Sequence, residues 1–106
     1  MTSFKDQGTA AFKEKDFDKA IELYTKAIEE APDDHTILSN RAAAYHQSGK
    51  YDEALTDSEK CIELKPDWSK GYQRKAMALQ AQANFESAVE FYEKGIEIDP
   101  ANTQCK

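Results

Sequence analysis

Residue types recur along this chain with a fixed step of 34 residues. One position of the repeat is always proline and another is always alanine, while further positions are always aromatic, always branched or always small. The positions are Pro32/Pro66/Pro100, Ala20/Ala54/Ala88, Phe17/Tyr51/Phe85, Ile21/Leu55/Val89, Ile28/Ile62/Ile96, Gly8/Ala42/Ala76 and Phe4/Leu38/Tyr72. Such agreement on one period indicates an array of structural repeats. We therefore predict a single domain over residues 1–106, divided into repeats 1–34, 35–68 and 69–102.

Within each repeat the apolar spacing is helical. Between Phe17 and Ile28, apolar residues follow one another at steps of three and four, which is the stripe of an amphipathic helix. Gly49 occupies a break between two helices, where we expect left-handed backbone. Each proline ends a second helix, and Asp67 is predicted to cap the fifth helix. These patterns predict an all-α chain of antiparallel helix pairs, with helices near 2–14, 17–31, 36–48, 51–64, 68–82 and 85–98.

Few residues of this chain are suited to catalysis. His35 and His46 lie about three helical turns apart, and no nucleophile is spaced to reach either. Cys61 falls at a small-residue core position and Cys105 is next to the last residue, so a reducing compartment is favoured over a disulfide framework. The chain has no phosphate-binding glycine loop, HExxH or CxxC motif. We predict that the protein is not an enzyme and has no metal or cofactor site.

The net charge and the hydropathy pattern argue against binding to nucleic acid and against association with a membrane. A net charge of −6 disfavours general binding to nucleic acid or to an anionic membrane. No apolar run approaches the ~18 residues of a membrane span, and the N-terminus lacks the basic-then-apolar pattern of a signal peptide. We therefore expect no nucleic-acid or membrane partner, and a protein partner in the cytoplasm.

The repeat resembles the tetratricopeptide repeat. It has bulky residues at position four, small residues at position eight, Ala at 20 and Pro at 32. An aromatic residue stands at position 24 in two repeats and Ser58 in the other, while position 27 is small in all three, as Ala27, Cys61 and Gly95. The resemblance covers essentially the whole chain. It implies a right-handed α-solenoid of three antiparallel helix pairs, whose first helices line a concave groove.

Arrays of this family usually end in an additional helix that covers the last apolar face. Here only residues 101–106 follow Pro100. We therefore expect the chain to be an N-terminal fragment of a longer protein, with Ile96 and Ile98 on an uncovered face.

Charge is distributed unevenly between the two sets of helices. The first helices, taken as 2–14, 36–49 and 69–82, sum to +4, whereas the second helices, taken as 16–31, 51–65 and 85–99, sum to −10. The remaining residues cancel, which returns the total of −6. A positive groove on an acidic body attracts anionic ligands. The alternative is a solvated face with an accidental bias in charge.

The first helices carry a set of hydrogen-bond donors. Lys5 and Thr9 are four residues apart, as are Lys70 and Arg74, so each pair shares one face of its helix. Asn40 has the same position in its repeat as Arg74. Arginine binds a carboxylate with two hydrogen bonds, and lysine acts as a point charge. We predict a receptor for two clustered carboxylates, such as a C-terminal Asp. Binding of an internal or helical segment, and an array that serves oligomerisation, stay open as alternatives.

Three segments resemble the dicarboxylate clamp of cochaperone tetratricopeptide domains of the Hop/Sti1 type, most closely the N-terminal domain. They are Ser39-Asn40-Arg41, residues 70–76 and, preceding the latter, residues 64–68. That family binds the C-terminal Glu-Glu-Val-Asp of the seventy- and ninety-kilodalton heat-shock chaperones. The resemblance implies an adaptor whose first-choice partner is the seventy-kilodalton chaperone, with the ninety-kilodalton chaperone second.

The same resemblance implies a role for each donor. Lys5, Asn40 and Thr9 would hold the terminal carboxylate, while Lys70 and Arg74 would reach the Asp side chain and the upstream backbone. The family has Asn where Thr9 stands, and Thr offers only one donor hydrogen. We assign four further residues to the groove: Phe12, beside a shallow pocket for the penultimate Val, and Ala43, His46 and Gln47.

Overall fold

The computed structural model describes residues 3–99. In this range the chain forms helices and no strand, in the order α1 (Phe4–Lys13), α2 (Phe17–Glu30), α3 (His35–Gln47), α4 (Tyr51–Leu64), α5 (Ser69–Ala81) and α6 (Phe85–Ile98). Every predicted helix is present, and the described helix ends differ from the predictions by at most two residues. Residues 1, 2 and 100–106, which include Pro100 and Cys105, lie outside the described range.

The helices pack as an antiparallel solenoid. Within each repeat α1 packs on α2, α3 on α4 and α5 on α6, and each second helix packs on the first helix of the next repeat. The first helices also meet one another, because α3 contacts both α1 and α5. The three first helices therefore form one continuous surface, as the resemblance to the tetratricopeptide repeat implies.

The turn between the two helices is the same in all three repeats. Lys15, Gly49 and Ala83, which are 34 residues apart, have φ values of 65°, 79° and 63°. The following amide donates to a carbonyl five residues back in each case, for example Asp16 N to Ala11 O at 2.9 Å. This is the Schellman arrangement of a helix C-terminus. The left-handed backbone predicted at Gly49 is confirmed, and two non-glycine residues adopt it as well.

The first three helices have side-chain caps. Ser3, Asp16 and Asp34 each accept a hydrogen bond from an amide in the first turn of α1, α2 and α3. The cap predicted at Asp67 is wrong. The N-cap of α5 is Trp68, which places Asp67 one residue too early for its carboxylate to reach the first-turn amides. The Asp67 carboxylate instead lies 3.4 Å from Lys65 Nζ.

The core consists largely of the repeated small residues, and the alanines at position 20 of each repeat are buried. A Cβ on Gly8 would lie 2.8 Å from two ring atoms of Tyr24, so this glycine allows the ring to lie directly against α1. On α6, however, Phe85 and Val89 are 60% and 53% exposed, although their positions are apolar in every repeat. They are exposed because no described helix follows α6. Ile96 and Ile98, expected on the uncovered face, are partly buried.

Candidate anion-binding site

A cavity of about 140 Å³ opens between the first helices. Five of the residues that the sequence assigns to the groove line it, together with one buried residue of α2 that the sequence did not assign to it. These are Thr9 and Phe12 of α1, Asn40 and Ala43 of α3, Arg74 of α5 and, from the core, Tyr24 of α2. Their convergence follows from the repeat, because Asn40 and Arg74 occupy position six of their repeats and Thr9 and Ala43 occupy position nine.

Arg74 is a partly buried cation that has no anionic partner among residues 3–99. Its Nε donates to Ser39 Oγ at 3.3 Å, and its Nη1 lies 3.9 Å from Met77 Sδ. Among residues 3–99 no carboxylate lies within ion-pair distance of it. Burial lowers the pKa of Arg74, against the opposing effects of Cys61 and Tyr24. The guanidinium therefore brings positive charge to the cavity that the described part of the fold does not neutralise locally.

Arg41, on the neighbouring helix α3, shows the opposite arrangement. Its Nε and Nη2 each donate to a carboxylate oxygen of Asp57 at 2.7 Å, and its Nη1 donates to Thr25 Oγ1 at 3.2 Å. The hydrogen bonds that Arg41 donates to Asp57 raise the pKa of Arg41 despite its burial. On α5, Lys75 is also paired, with its Nζ 3.2 Å from a carboxylate oxygen of Glu59. The charge count of the first helices therefore overstates the charge available to a ligand.

Two polar groups face Arg74 in the cavity. Asn40 is partly buried, and its amide makes no side-chain hydrogen bond within residues 3–99. Thr9 Oγ1 donates to Lys5 O at 3.1 Å and lies 2.9 Å from the Tyr24 hydroxyl. Since Thr has a single hydroxyl hydrogen, that bond leaves Thr9 no donor for a ligand in this arrangement. Tyr24 was missed because its register reads as core, but the pairing of hydroxyls at positions 9 and 24 of one repeat was a visible signal.

Neither of the two predicted lysines lines the cavity. Lys5 Nζ donates to Thr36 Oγ1 at 2.7 Å. Burial of Asp34 would raise the pKa of its carboxyl, but hydrogen bonds from Thr36 and the charge of Lys5 lower it. Lys70 is exposed, with its Nζ 6.0 Å from the centroid of the Trp68 ring. Neither lysine forms an ion pair with a described residue.

The remaining predicted groove residues lie further along α3, and neither lines the cavity. His46 packs against Tyr51 with ring centroids 5.3 Å apart, and its buried Nδ1 has no hydrogen-bond partner among the described residues. Burial, followed by the charge of Arg74, lowers the pKa of His46. Gln47 is exposed.

Cys61 is packed, as predicted. It is fully buried, and its Sγ donates to His35 O at 3.4 Å. Burial raises the pKa of the Cys61 thiol to about 11, so the nucleophilic thiolate is scarce at neutral pH. Within residues 3–99 no three His, Cys, Asp or Glu side chains are grouped as metal ligands, and no helix has the length and apolar character to cross a membrane.

Comparison with known proteins identifies the family. The family model described as "Serine/threonine-protein kinase BSK1-like, TPR repeats" matches residues 1–81, and the one described as "Tetratricopeptide repeat" matches residues 69–102. The chain belongs to the tetratricopeptide-repeat family. Among sequence relatives, Heat shock protein STI1 of Saccharomyces cerevisiae is 61% identical over 44 residues, which cover 40% of this chain and 7% of that protein. The match therefore spans only a small part of that relative.

Solved tetratricopeptide domains share the fold over nearly the whole chain. The Sgt2 TPR domain from Aspergillus fumigatus has a TM-score of 0.92 and 39% identity, covering 96% of this chain and 69% of that one. The second TPR domain of human RPAP3, in complex with HSP70 peptide SGPTIEEVD, has a TM-score of 0.91 and 33% identity, covering 97% and 86%. The first TPR of Spaghetti (RPAP3), bound to HSP90 peptide SRMEEVD, has a TM-score of 0.92 and 31% identity, and the match covers 96% of this chain and 81% of that one.

Proposed function

We propose that this tetratricopeptide domain is a cochaperone-type adaptor that binds the C-terminal Glu-Glu-Val-Asp of a cytoplasmic heat-shock chaperone. The observation that carries the proposal is Arg74, a partly buried guanidinium that lines a cavity and has no carboxylate partner among residues 3–99. A buried cation is costly unless it is paired, and a ligand carboxylate is the group that would pair it. The similarity to domains solved with peptides ending in EEVD supports the same ligand.

The side-chain donors of the site are divided between the two carboxylates of the ligand's C-terminal Asp. Arg74 and Lys70, one turn apart on α5, bind the side chain of the C-terminal Asp and the adjacent backbone. Asn40 and Lys5 bind the terminal carboxylate from α3 and α1. The ring of Phe12 forms one wall of the pocket for the penultimate Val. The cavity of about 140 Å³ is many times larger than the roughly 10–15 Å³ that a cavity needs to hold one water.

The function is one of binding without catalysis. The ligand is an acidic peptide tail, and no step of the proposal needs a nucleophile, a metal or a cofactor. We place the seventy-kilodalton chaperone first and the ninety-kilodalton chaperone second. The relatives solved with HSP70 and HSP90 peptides support either partner.

Calorimetric titration tests the proposal. The probe is the peptide SGPTIEEVD, prepared once with a free C-terminal carboxylate and once as the amide. We expect one-to-one binding of the free acid in the micromolar range, on the order of −7 to −8 kcal/mol, with affinity falling as salt is added. Amidation should weaken binding by at least about tenfold, because it removes a charge-assisted acceptor.

The alternative function is that of a scaffold that binds an internal or helical segment of another protein. In that case the free acid and the amide bind equally, and the clamp is refuted. The peptide SRMEEVD, titrated in parallel, ranks the two chaperones.

A further inference from the structure

The Tyr24 and Thr9 hydroxyls form a hydrogen-bonded pair in the wall of the cavity. Their oxygens are 2.9 Å apart, and both residues line the cavity. Thr9 also donates to Lys5 O at 3.1 Å. A hydroxyl carries one hydrogen, so Tyr24 must be the donor within the pair. In this arrangement the Tyr24 hydrogen points to Thr9 Oγ1 and the Thr9 hydrogen points to Lys5 O, so both hydrogens are used within the fold.

We propose that this hydroxyl pair is a reversible donor chain that binds the ligand's terminal carboxylate through Tyr24. When the carboxylate enters, Tyr24 rotates its hydrogen to the carboxylate and Thr9 rotates its own hydrogen to the Tyr24 oxygen. No bond other than hydrogen bonds changes. Lys5 O keeps the helical bond from the amide four residues on, so releasing Thr9 leaves no unpaired carbonyl. The inference rests on the proposed function and adds Tyr24 as a specificity-determining residue.

The pair is a feature of the first repeat, not of the repeat architecture. In the third repeat the residue equivalent to Tyr24 is Tyr92, and its hydroxyl donates to Gln80 Oε1 at 2.9 Å. In the second repeat the equivalent is Ser58, which donates to Leu55 O at 2.8 Å. Position nine carries a hydroxyl only in the first repeat.

Gly8 allows this arrangement. A Cβ at Gly8 would come within 2.8 Å of the Tyr24 ring, whereas the second and third repeats have alanine at this position. The absence of a side chain lets the ring lie against α1, with its hydroxyl next to Thr9. Glycine at position eight therefore leaves room for the ring at position 24, and the hydroxyl of that ring pairs with Thr at position nine.

The chemistry suits an anion. A phenol is a good donor to a carboxylate, and such O–H···O⁻ bonds are short and strong. Tyr24 is almost completely buried, and a hydrogen bond in a desolvated site is stronger than one in water. Thr9 alone offers one hydrogen, which it uses on Lys5 O. Through the pair, Tyr24 supplies the donor to the carboxylate and Thr9 strengthens it by donating to the Tyr24 oxygen.

A double-mutant cycle tests the chain, with SGPTIEEVD as free acid and as amide. Tyr24→Phe keeps the ring and removes the hydroxyl, and should weaken binding of the free acid by about three- to tenfold. Thr9→Val should weaken it less, and should have no further effect once Tyr24→Phe is present. Tyr92→Phe is the matched control and should leave affinity unchanged. Thermal denaturation of each variant shows whether it folds.

The amide separates the possible results. If Tyr24→Phe acts through the terminal carboxylate, its cost disappears with the amidated peptide. If wild type binds acid and amide equally, the proposed function fails first. If wild type prefers the acid but Tyr24→Phe lowers the affinity for both peptides by the same factor, the proposed function stands and the donor chain is refuted. If Thr9→Val still weakens binding in the Tyr24→Phe background, Thr9 contacts the ligand directly and the chain is likewise refuted.

Discussion

The same substitution at Arg41 and at Arg74 should have different effects on folding. Both arginines lie on first helices, and methionine matches arginine closely in helix propensity. Arg41 forms two hydrogen bonds to Asp57, whose side chain is only 6% exposed. Arg41→Met leaves that carboxylate buried and unpaired. We therefore expect a loss of about 3–5 kcal/mol in the free energy of unfolding.

Arg74→Met removes no ion pair from the described part of the fold. The loss of the 3.3 Å hydrogen bond from Arg74 Nε to Ser39 Oγ costs about 0.5–1.5 kcal/mol. Removing a buried guanidinium that pairs with no described carboxylate is favourable by a similar amount, so the two effects nearly cancel. The free energy of unfolding should therefore change by less than about 1 kcal/mol. Peptide binding should weaken by about 1.5–3 kcal/mol, or roughly 10- to 150-fold, because a charge-assisted bond to the ligand is lost.

Two measurements on the same samples separate these effects. Thermal denaturation followed by circular dichroism should show a midpoint more than about 10 °C lower for Arg41→Met and little change for Arg74→Met. Calorimetry with SGPTIEEVD should show the loss of affinity in Arg74→Met. Equal destabilisation by the two substitutions would mean that Arg74 is satisfied within the fold. Unchanged affinity in Arg74→Met would place the ligand elsewhere.

Three further outcomes follow from the structure. Phe85 and Val89 form an exposed apolar surface on α6, which we expect to favour self-association. Replacing both with glutamine should therefore lower the apparent mass in sedimentation equilibrium without lowering the melting temperature, and an unchanged apparent mass would contradict this. In a Cys105→Ser background, native Cys61 should react with a thiol reagent at pH 8 at least about a hundredfold more slowly than in urea, because its pKa of about 11 leaves about 0.1% thiolate. Burial raises the pKa of Asp34, but hydrogen bonds and a nearby positive charge lower it overall, so its contribution to stability is present above an unfolded value of about 3.9 and is lost as pH falls through the folded value. Asp34→Asn should flatten the loss of stability in acid, and an unchanged slope would exclude the linkage.

The fold could be predicted from the sequence because a 34-residue period constrains every repeat at once. A proline at a fixed position marks the end of each second helix, and three copies average out local ambiguity. The prediction failed at Asp67, where one residue decides whether a carboxylate can reach the first turn. It also failed to identify Phe85 and Val89 as exposed, because burial in a repeat depends on the next repeat and not on the residue itself.

The candidate site was predictable in position but not in its hydrogen bonds. Asn40 and Arg74 share a register, so their convergence follows from the period alone. Which donors remain available does not follow from it. Thr9 carries a hydroxyl in sequence, but in three dimensions its hydrogen is used by Lys5 O. Tyr24 reads as a core aromatic, and only the 2.9 Å contact with Thr9 places its hydroxyl beside the cavity.

One residue position separates the groove from the paired surface of the first helices. Asn40 and Arg74 occupy position six and line the cavity, whereas Arg41 and Lys75 occupy position seven and pair with Asp57 and Glu59 of α4. A single step turns a side chain by about 100° around a helix with 3.6 residues per turn. Cations at position seven therefore pair with carboxylates of α4, within the second repeat for Arg41 and between the second and third repeats for Lys75. At position six, Arg74 has no carboxylate partner among residues 3–99. The carboxylates of α4 thus neutralise the cations at position seven and leave the charge of Arg74 at position six without a described counter-charge.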